Sequence, residues 1–208
     1  MKGSRPIAER EIPRIMNQLD PRGQMLAIMG LSFGLRINEA LSYAIRDLEG
    51  EYLEVFSSKK SENETFRIPA VVKKHLSALL RYYRRKGFPL NDKSALFISQ
   101  KGPMTIRHAS RLICRAAKRA GLDGQIGTHS FRKAFVMAIY EATGKDPVAT
   151  LPWSRHKGLD NLLYYISSSI ELELEENLPW LRDDAPCPWL AEDENPDEKE
   201  DMTHEQSI

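Results

Sequence analysis

Apolar side chains recur every three or four residues through most of the first 170 positions, which places them on one face of a helix. This pattern predicts five main helices, at residues 8–19, 21–33, 71–86, 105–120 and 129–143. Shorter helices are predicted at residues 36–47, 147–151, 159–166 and 169–177. The helix at 21–33 is apolar around most of its circumference, so we expect it to be buried.

Local signals mark where several of these helices begin and end. Asp20 followed by Pro21 supplies a capping side chain and then a first helical residue that needs no N–H partner. Gly34, Gly121 and Gly144 each follow an apolar stripe, and glycine commonly ends a helix in the left-handed conformation.

Short segments between the helices have the pattern of strands. Residues 52–56 and 66–68 are rich in β-branched and aromatic side chains, and the polar stretch 57–64 between them is typical of a hairpin turn. Residues 96–98 are a third, shorter candidate. The predicted fold class is therefore mainly α, with a small antiparallel β-hairpin or sheet.

The net charge of +1 conceals a strong asymmetry along the chain. Residues 171–208 hold 14 acidic and two basic side chains, a net charge of −12, and residues 1–170 carry the compensating +13. A body this basic indicates a polyanionic partner such as nucleic acid. From Asp183 onward the chain has too few apolar residues for a packed core, and we expect disorder there.

Composition excludes several classes of protein. No apolar run approaches the roughly 20 residues that a membrane-spanning helix needs, and the basic N-terminus lacks the apolar segment of a secretory signal. Cys114 and Cys187 are too few for a zinc cluster. We therefore expect a cytoplasmic protein with no cysteine-built zinc site and no membrane-spanning segment.

Four separated segments carry side chains suited to phosphate chemistry. In chain order they are Arg36 with Glu39, Lys59 with Lys60, His129 with Arg132, and His156 with Tyr165 nine positions later. Residues three apart on a helix share a face, so the first and third pairs each point to one site. Each segment alone is weak evidence, because such residues are usually ordinary solvated surface or core.

Taken in this order, the segments resemble the tyrosine recombinase, or phage integrase, family. Its pattern is an arginine in a Gly-Leu-Arg-x-x-Glu segment, a hairpin lysine, His-x-x-Arg, a histidine or tryptophan, and a tyrosine nine positions later. Arg67-Ile68-Pro69 and Leu96-Phe97-Ile98-Ser99 add to the likeness, which covers about residues 7–166. The resemblance implies the tyrosine recombinase catalytic-domain fold of DNA breaking-rejoining enzymes.

The same resemblance implies the chemistry of strand cleavage. Tyr165 is expected to attack phosphorus and form a 3′-phosphotyrosine, which conserves bond energy so that rejoining needs no ATP. The resemblance therefore implies an enzyme that uses no metal and no other cofactor and that associates with the nucleoid when bound to DNA. His129 is the implied general base, because a phenol with a pKa of about 10 ionises poorly unaided. Lys59 is the implied general acid for the leaving 5′-oxygen.

The remaining members of the pattern are implied to hold the scissile phosphate. Arg36 and Arg132 are expected to bind its non-bridging oxygens through their guanidinium forks. His156 is expected to hydrogen-bond the same phosphate. Glu39 is expected to support Arg36 from behind.

Two of these assignments have a neighbouring competitor. Tyr164 and Tyr165 lie about 100° apart on a helix, so only one can face the phosphate, and the nine-residue spacing favours Tyr165. Lys59 and Lys60 point to opposite sides if the strand continues, and alignment with the family strands favours Lys59.

Further DNA contacts are expected outside the catalytic set. One side of the helix at 105–120 carries an arginine every four residues and no acidic residue at that spacing. The alternative is that these arginines pair with acidic residues elsewhere in the fold. The expected DNA-binding residues are Lys60, Arg107, Arg111, Arg115, Arg119, Lys133 and Arg155.

The resemblance also implies the domain layout and the partners. We expect an N-terminal arm at 1–6, a catalytic domain with a C-terminal docking helix at 7–182, and an acidic tail at 183–208. The layout, without a core-binding domain before residue 7, is like that of the fimbrial-switch inversion recombinases. The implied partners are double-stranded DNA with an inverted-repeat core site, further copies of the chain in a tetramer formed through the C-terminal segment, and an accessory DNA-bending protein.

The sequence departs from the family near the tyrosine. Ser154-Arg155-His156 stands where Leu-Gly-His is common, and Lys133 stands where histidine is frequent. Site-specific recombination, by integration or inversion through a Holliday junction, is the leading hypothesis. The alternatives are a DNA-binding regulator with the same fold and a type IB topoisomerase-like or telomere-resolving enzyme.

Overall fold

The structure is a computed structural model that describes residues 4–55, 64–91 and 93–167. The helices in these residues are α1 (Ile12–Met16), α2 (Pro21–Phe33), α3 (Ile37–Ala40), α4 (Ala70–Arg85), α5 (Ile106–Arg119), α6 (Thr128–Ala142), α7 (Pro147–Ser154) and α8 (Leu159–Ser167). The strands are β1 (Tyr52–Val55), β2 (Glu64–Arg67), β3 (Ile98–Ser99) and β4 (Gly102–Pro103). The predicted fold class, mainly α with small antiparallel sheets, is confirmed.

Helix α2 is the central element, as its apolar circumference predicts. The Asp20 carboxylate accepts a hydrogen bond from the Gly23 N–H at 3.0 Å, and Gly34 ends the helix with a φ of 58°. The helix packs against α4 and α6. A Cβ at Gly30 would lie 2.8 Å from the Cβ of Phe131, so this glycine lets α2 and α6 approach closely.

The helix predicted at 36–47 is wrong beyond its first turn. After α3 the backbone turns to pair with a distant segment: the Ile45 N–H donates to the Ser94 carbonyl at 3.0 Å, and the Leu96 N–H donates to the Tyr43 carbonyl at 2.8 Å. These long-range bonds replace helical ones, and a local apolar stripe does not reveal them.

The helix predicted at 8–19 is also shorter than expected. It divides into a 3₁₀ turn at Glu9–Glu11 and the five-residue α1. Pro13 lies at the start of α1, where its missing N–H is tolerated, whereas inside a longer helix it would break a hydrogen bond.

The predicted hairpin is formed by β1 and β2. They pair antiparallel, with Tyr52 opposite Arg67 and Val55 opposite Glu64. Leu53 and Val55 are buried, so one face of the hairpin belongs to the main core around α2. The strand predicted at 96–98 is displaced to β3, which pairs with β4.

The last three helices pack in sequence and form a separate, smaller core. Val136 of α6 and Leu162 and Ile166 of α8 form its buried centre, with Leu151 of α7 packed against them. The face of α8 that carries Leu162 and Ile166 therefore packs toward α6.

Several sequence predictions lie outside the described residues. They are Lys59 and Lys60, the helix at 169–177, the docking segment up to residue 182 and the acidic tail at 183–208. Within the described ranges, no helix is both long and apolar enough to cross a membrane, and no group of three or more histidine, cysteine or acidic side chains is placed to hold a metal ion.

Candidate active site

The left-handed turn that ends α2 sets the position of Arg36. After Gly34 the chain extends, and Arg36 becomes the N-cap of α3. The Glu39 carboxylate accepts hydrogen bonds from the Arg36 backbone N–H at 2.8 Å and from its Nη1 at 2.9 Å. The Arg36 side chain is still 40% exposed, so part of its guanidinium is accessible to a ligand.

Arg132 is the most deeply buried cation of the site, at 1% exposure. Its Nη1 donates to the carbonyl of Gly34, and its Nη2 donates to the carbonyl of Ser154 at 3.1 Å. These bonds tie α6 to the end of α2 and to the end of α7. Burial, with the nearby charge of Arg36, lowers the pKa of Arg132 to about 10, which keeps the side chain protonated at neutral pH.

Tyr165 faces this cluster and Tyr164 does not. Tyr164 is 77% exposed, whereas the Tyr165 hydroxyl is buried beside Arg132. Burial raises the pKa of Tyr165 to about 12, although the positive charges of Arg132 and Arg36 act in the opposite direction. Deprotonation therefore needs both a base and the charge of the surrounding cations.

Two histidines contact the Tyr165 ring. The ring centroid of His156 lies 4.5 Å from that of Tyr165, and the centroid of His129 lies 5.8 Å away in an edge-on arrangement. Burial and the charges of Arg132 and Arg36 lower the pKa of His156 to about 4, and His156 Nδ1 is buried without a hydrogen-bond partner among the described residues.

His129 is the more accessible of the two histidines. The residue is exposed overall, but partial burial of its ring lowers its pKa, and the positive charges of Arg132 and Lys133 act in the same direction. A neutral imidazole at the edge of the Tyr165 ring is able to accept a proton.

Two residues expected to contact DNA are buried instead. Lys133 is 7% exposed, with its Nζ 5.3 Å from the centroid of the Tyr165 ring. The Arg155 side chain is 5% exposed and forms ion pairs with Glu39 and Glu64. Both cations thus contact side chains from distant segments inside the site: the Tyr165 ring for Lys133, and two carboxylates for Arg155.

Glu64 and two carbonyls are site components that sequence reasoning missed. Glu64, the first residue of β2, lies 3.5 Å from Arg155 Nε. The carbonyls of Gly34 and Ser154 hold Arg132. No residue pattern marks them, since a carbonyl belongs to every residue and an acidic residue beside a turn is common.

The arginine row on α5 occupies an exposed face. Arg107, Arg111, Arg115 and Arg119 are all exposed, and none of them forms an ion pair with a carboxylate of the described residues. Arg119 donates to the Gln18 carbonyl at 2.6 Å. A groove of about 330 Å³ runs along the last three arginines of the row.

The chain resembles known proteins over most of its length. The sequence model of the phage integrase family matches residues 5–151. The match ends before His156 and Tyr165, so their placement rests on the geometry described above. None of the curated proteins matches the sequence.

Solved structures of recombinases share the fold. The XerH site-specific recombinase bound to palindromic difH substrate, in a post-cleavage complex, is 23% identical with a TM-score of 0.62 over 84% of this chain and 52% of its own. The XerA recombinase is 17% identical with a TM-score of 0.63 over 86% and 63%. A lambda integrase dimer bound to a COC′ core site is 20% identical with a TM-score of 0.56 over 79% and 48%. The chain thus spans about half to two thirds of these proteins.

Proposed function

The chain belongs to the phage integrase family, and from this premise we propose that it is a site-specific DNA recombinase. It cuts and rejoins DNA through a 3′-phosphotyrosine intermediate and a Holliday junction. The observation that carries the proposal is the position of the Tyr165 hydroxyl, buried beside the Arg132 guanidinium and within the field of Arg36. A tyrosine that only filled the core would gain nothing from the charges of two arginines acting on its hydroxyl.

In the cleavage step, Tyr165 Oη forms a bond to phosphorus and the bond from phosphorus to the 5′-oxygen breaks. The phenolic proton passes to His129, which is neutral at physiological pH because of its lowered pKa. The leaving 5′-oxygen receives a proton from Lys59 and becomes a 5′-hydroxyl. Rejoining reverses these transfers with the 5′-hydroxyl of another strand.

The two arginines stabilise the charge that reorganises around phosphorus. Arg132 is held by two carbonyls and Arg36 by Glu39, so both guanidinium groups are in place before the substrate arrives. Preorganised donors of this kind cost little reorganisation in the transition state. His156, whose ring contacts that of Tyr165, donates to a phosphate oxygen.

Double-stranded DNA is the proposed substrate. XerH and lambda integrase are bound to DNA sites in their solved complexes, and the exposed arginine row on α5 offers this chain a second group of phosphate contacts. We expect an inverted-repeat core site, because two copies of one chain on DNA are related by two-fold symmetry. Lys60 belongs to the proposed contacts on the hairpin side.

A suicide substrate tests the proposal. Target DNA with a nick close to the cleavage site loses its 5′-hydroxyl fragment after attack, so rejoining fails and a covalent complex accumulates on a denaturing gel. Sequencing the DNA that flanks the gene for inverted repeats supplies the candidate site. Specific binding without any adduct would favour the regulator, and relaxation of supercoiled plasmid without the site would favour a topoisomerase.

We further propose that the protein acts as a tetramer in which residues 169–181 bind a neighbouring copy. Leu172, Leu174 and Leu178, with Trp180, supply apolar side chains in an otherwise acidic segment. The double variant Leu174→Glu, Leu178→Glu should bind a half-site normally but fail to form the higher assembly on a full site, as measured by mass photometry. An unchanged assembly would contradict this role.

A further inference from the structure

Arg155 adopts a conformation that its side chain does not favour. Its φ is 57°, in the left-handed region, where a residue with a Cβ is strained by about 1 kcal/mol or more. Glycine would adopt the same turn without strain. The fold therefore maintains an arginine here at a cost, and the contacts of its side chain offer a reason.

The Arg155 guanidinium joins two carboxylates from distant parts of the chain. Its Nη1 donates to Glu39 Oε2 at 3.1 Å, and its Nε lies 3.5 Å from Glu64 Oε2 as an ion pair. The Arg155 side chain is 5% exposed and that of Glu39 is 14% exposed. Water screens such a pair poorly, so its geometry is strongly restrained.

Each carboxylate belongs to, or contacts, a different part of the cleavage machinery. Glu39 holds Arg36 at its backbone N–H and its guanidinium. Glu64 is paired with Val55 at the base of the hairpin, and the segment between these two residues in the sequence contains Lys59. The row of contacts from Arg36 through Glu39 and Arg155 to Glu64 thus connects the phosphate-binding arginine with the hairpin.

We propose that Arg155 is a positioning residue that holds Glu64, at the start of β2, relative to Arg36, and that protonation of the leaving oxygen depends on this link. The proposal deepens the proposed function and rests on it. An arginine that only attracts DNA from the surface gains nothing from a strained backbone and two partly buried carboxylate partners. The paired state of Arg155 also keeps Glu39 from presenting an unbalanced negative charge to the substrate phosphate.

The test separates leaving-group protonation from the other parts of catalysis. It uses two nicked target DNAs, in which the cleaved fragment is lost and rejoining fails. They differ only at the scissile phosphate, one with the natural 5′-oxygen and one with a bridging 5′-sulfur. A thiol has a pKa of about 8.5, far below that of an alcohol, so the sulfur leaves as a thiolate without a general acid. A defect confined to the general acid is therefore rescued by sulfur.

Glu64→Gln is the main variant, because it removes the charge opposite Arg155 and keeps the shape of the side chain. We expect it to slow cleavage of the oxygen substrate by about tenfold, the loss expected for a weakened, partly buried ion pair. Cleavage of the sulfur substrate should stay within about twofold of wild type. Glu54→Gln, on the exposed side of β1, is the matched control and should leave both rates unchanged.

Arg155→Gly supplies a second, independent variant that the left-handed backbone tolerates. It releases Glu39 as well as Glu64, so it should slow both substrates and the oxygen substrate more. Equal losses on the two substrates in both variants, at unchanged thermal stability, would overturn the positioning role. Wild-type protein that cleaves neither substrate would overturn the proposed function instead, and the two failures are thereby distinguished.

Discussion

The rings of His156 and Tyr165 lie with their centroids 4.5 Å apart, at an interplanar angle of 55°. This contact buries His156 Nδ1 and the Tyr165 hydroxyl in one cluster and joins α8 to the residues that follow α7. The two residues are nine positions apart in the sequence. A loop turn and then two helical turns of α8 lie between them, and this path brings the two rings into contact. Because the Tyr165 hydroxyl is buried in this cluster and Tyr164 is exposed, substituting each tyrosine in turn identifies the one that reacts.

Tyr165→Phe should abolish the covalent adduct with nicked target DNA, while Tyr164→Phe should leave it intact. The two residues are adjacent, but Tyr164 is 77% exposed and the Tyr165 hydroxyl lies against Arg132. Peptide mapping of the trapped complex should find the phosphodiester on Tyr165. An adduct on Tyr164, or continued cleavage by Tyr165→Phe, would sink the assignment.

Arg36→Ala and Arg132→Ala should both abolish cleavage but differ in their effect on stability. Arg132→Ala leaves the buried carbonyls of Gly34 and Ser154 without their donor, which costs about 2 kcal/mol of the free energy of unfolding. Arg36 is 40% exposed, so its loss should change stability little. Thermal denaturation and cleavage assays measure the two effects.

Both arginine variants should retain most of their affinity for DNA, because the basic body provides many other phosphate contacts. Binding is measured by fluorescence anisotropy on an intact site. Affinity that falls in step with cleavage would favour the regulator. Equal thermal stability of the two variants would contradict the anchoring role of the Arg132 hydrogen bonds.

Acidification should destabilise the fold in part through His156. Its pKa is lowered to about 4 by burial and nearby positive charge, against about 6.5 in the unfolded chain. Between these values the unfolded state binds the proton more readily, so the free energy of unfolding falls as the pH drops from about 6.5 toward 4. Above that window neither state is protonated and the contribution is constant.

His156→Gln should therefore flatten the pH dependence of stability across this window, as measured by denaturant titration at a series of pH values. His129 contributes in the same direction and remains in the variant, so a smaller slope persists. Superimposable slopes for wild type and variant would show that His156 is protonated equally in both states.

The double variant Arg111→Ala, Arg115→Ala should weaken DNA binding and flatten its salt dependence. If both side chains contact phosphates, the slope of log affinity against log salt concentration should decrease in magnitude by about 2. Arg81→Ala with Arg85→Ala, on the exposed face of α4, removes the same charge and is the matched control. A slope unaffected by the α5 changes would exclude the row from the interface.

Local patterns were sufficient to predict much of this molecule. The capping pair Asp20-Pro21 and the glycine at position 34 set the limits of α2 because each acts on its immediate neighbours. The spacing of His129 and Arg132 placed both on one helical face for the same reason. The apolar stripe at 71–86 predicted α4 to within a residue at each end.

Tertiary structure alone decided how these segments meet. Arg155 and Glu39 are 116 positions apart in the chain, and no local pattern links them or joins Arg155 to Glu64. The same holds for Lys133. The sequence predicts that this lysine contacts DNA, whereas the packing of α6 against α8 buries it beside Tyr165. Burial and ion pairing depend on which surfaces come together when the chain folds. The sequence therefore determined which residues make up the site. The fold determined which of its cations are accessible to a ligand and which are buried and hold other residues in place.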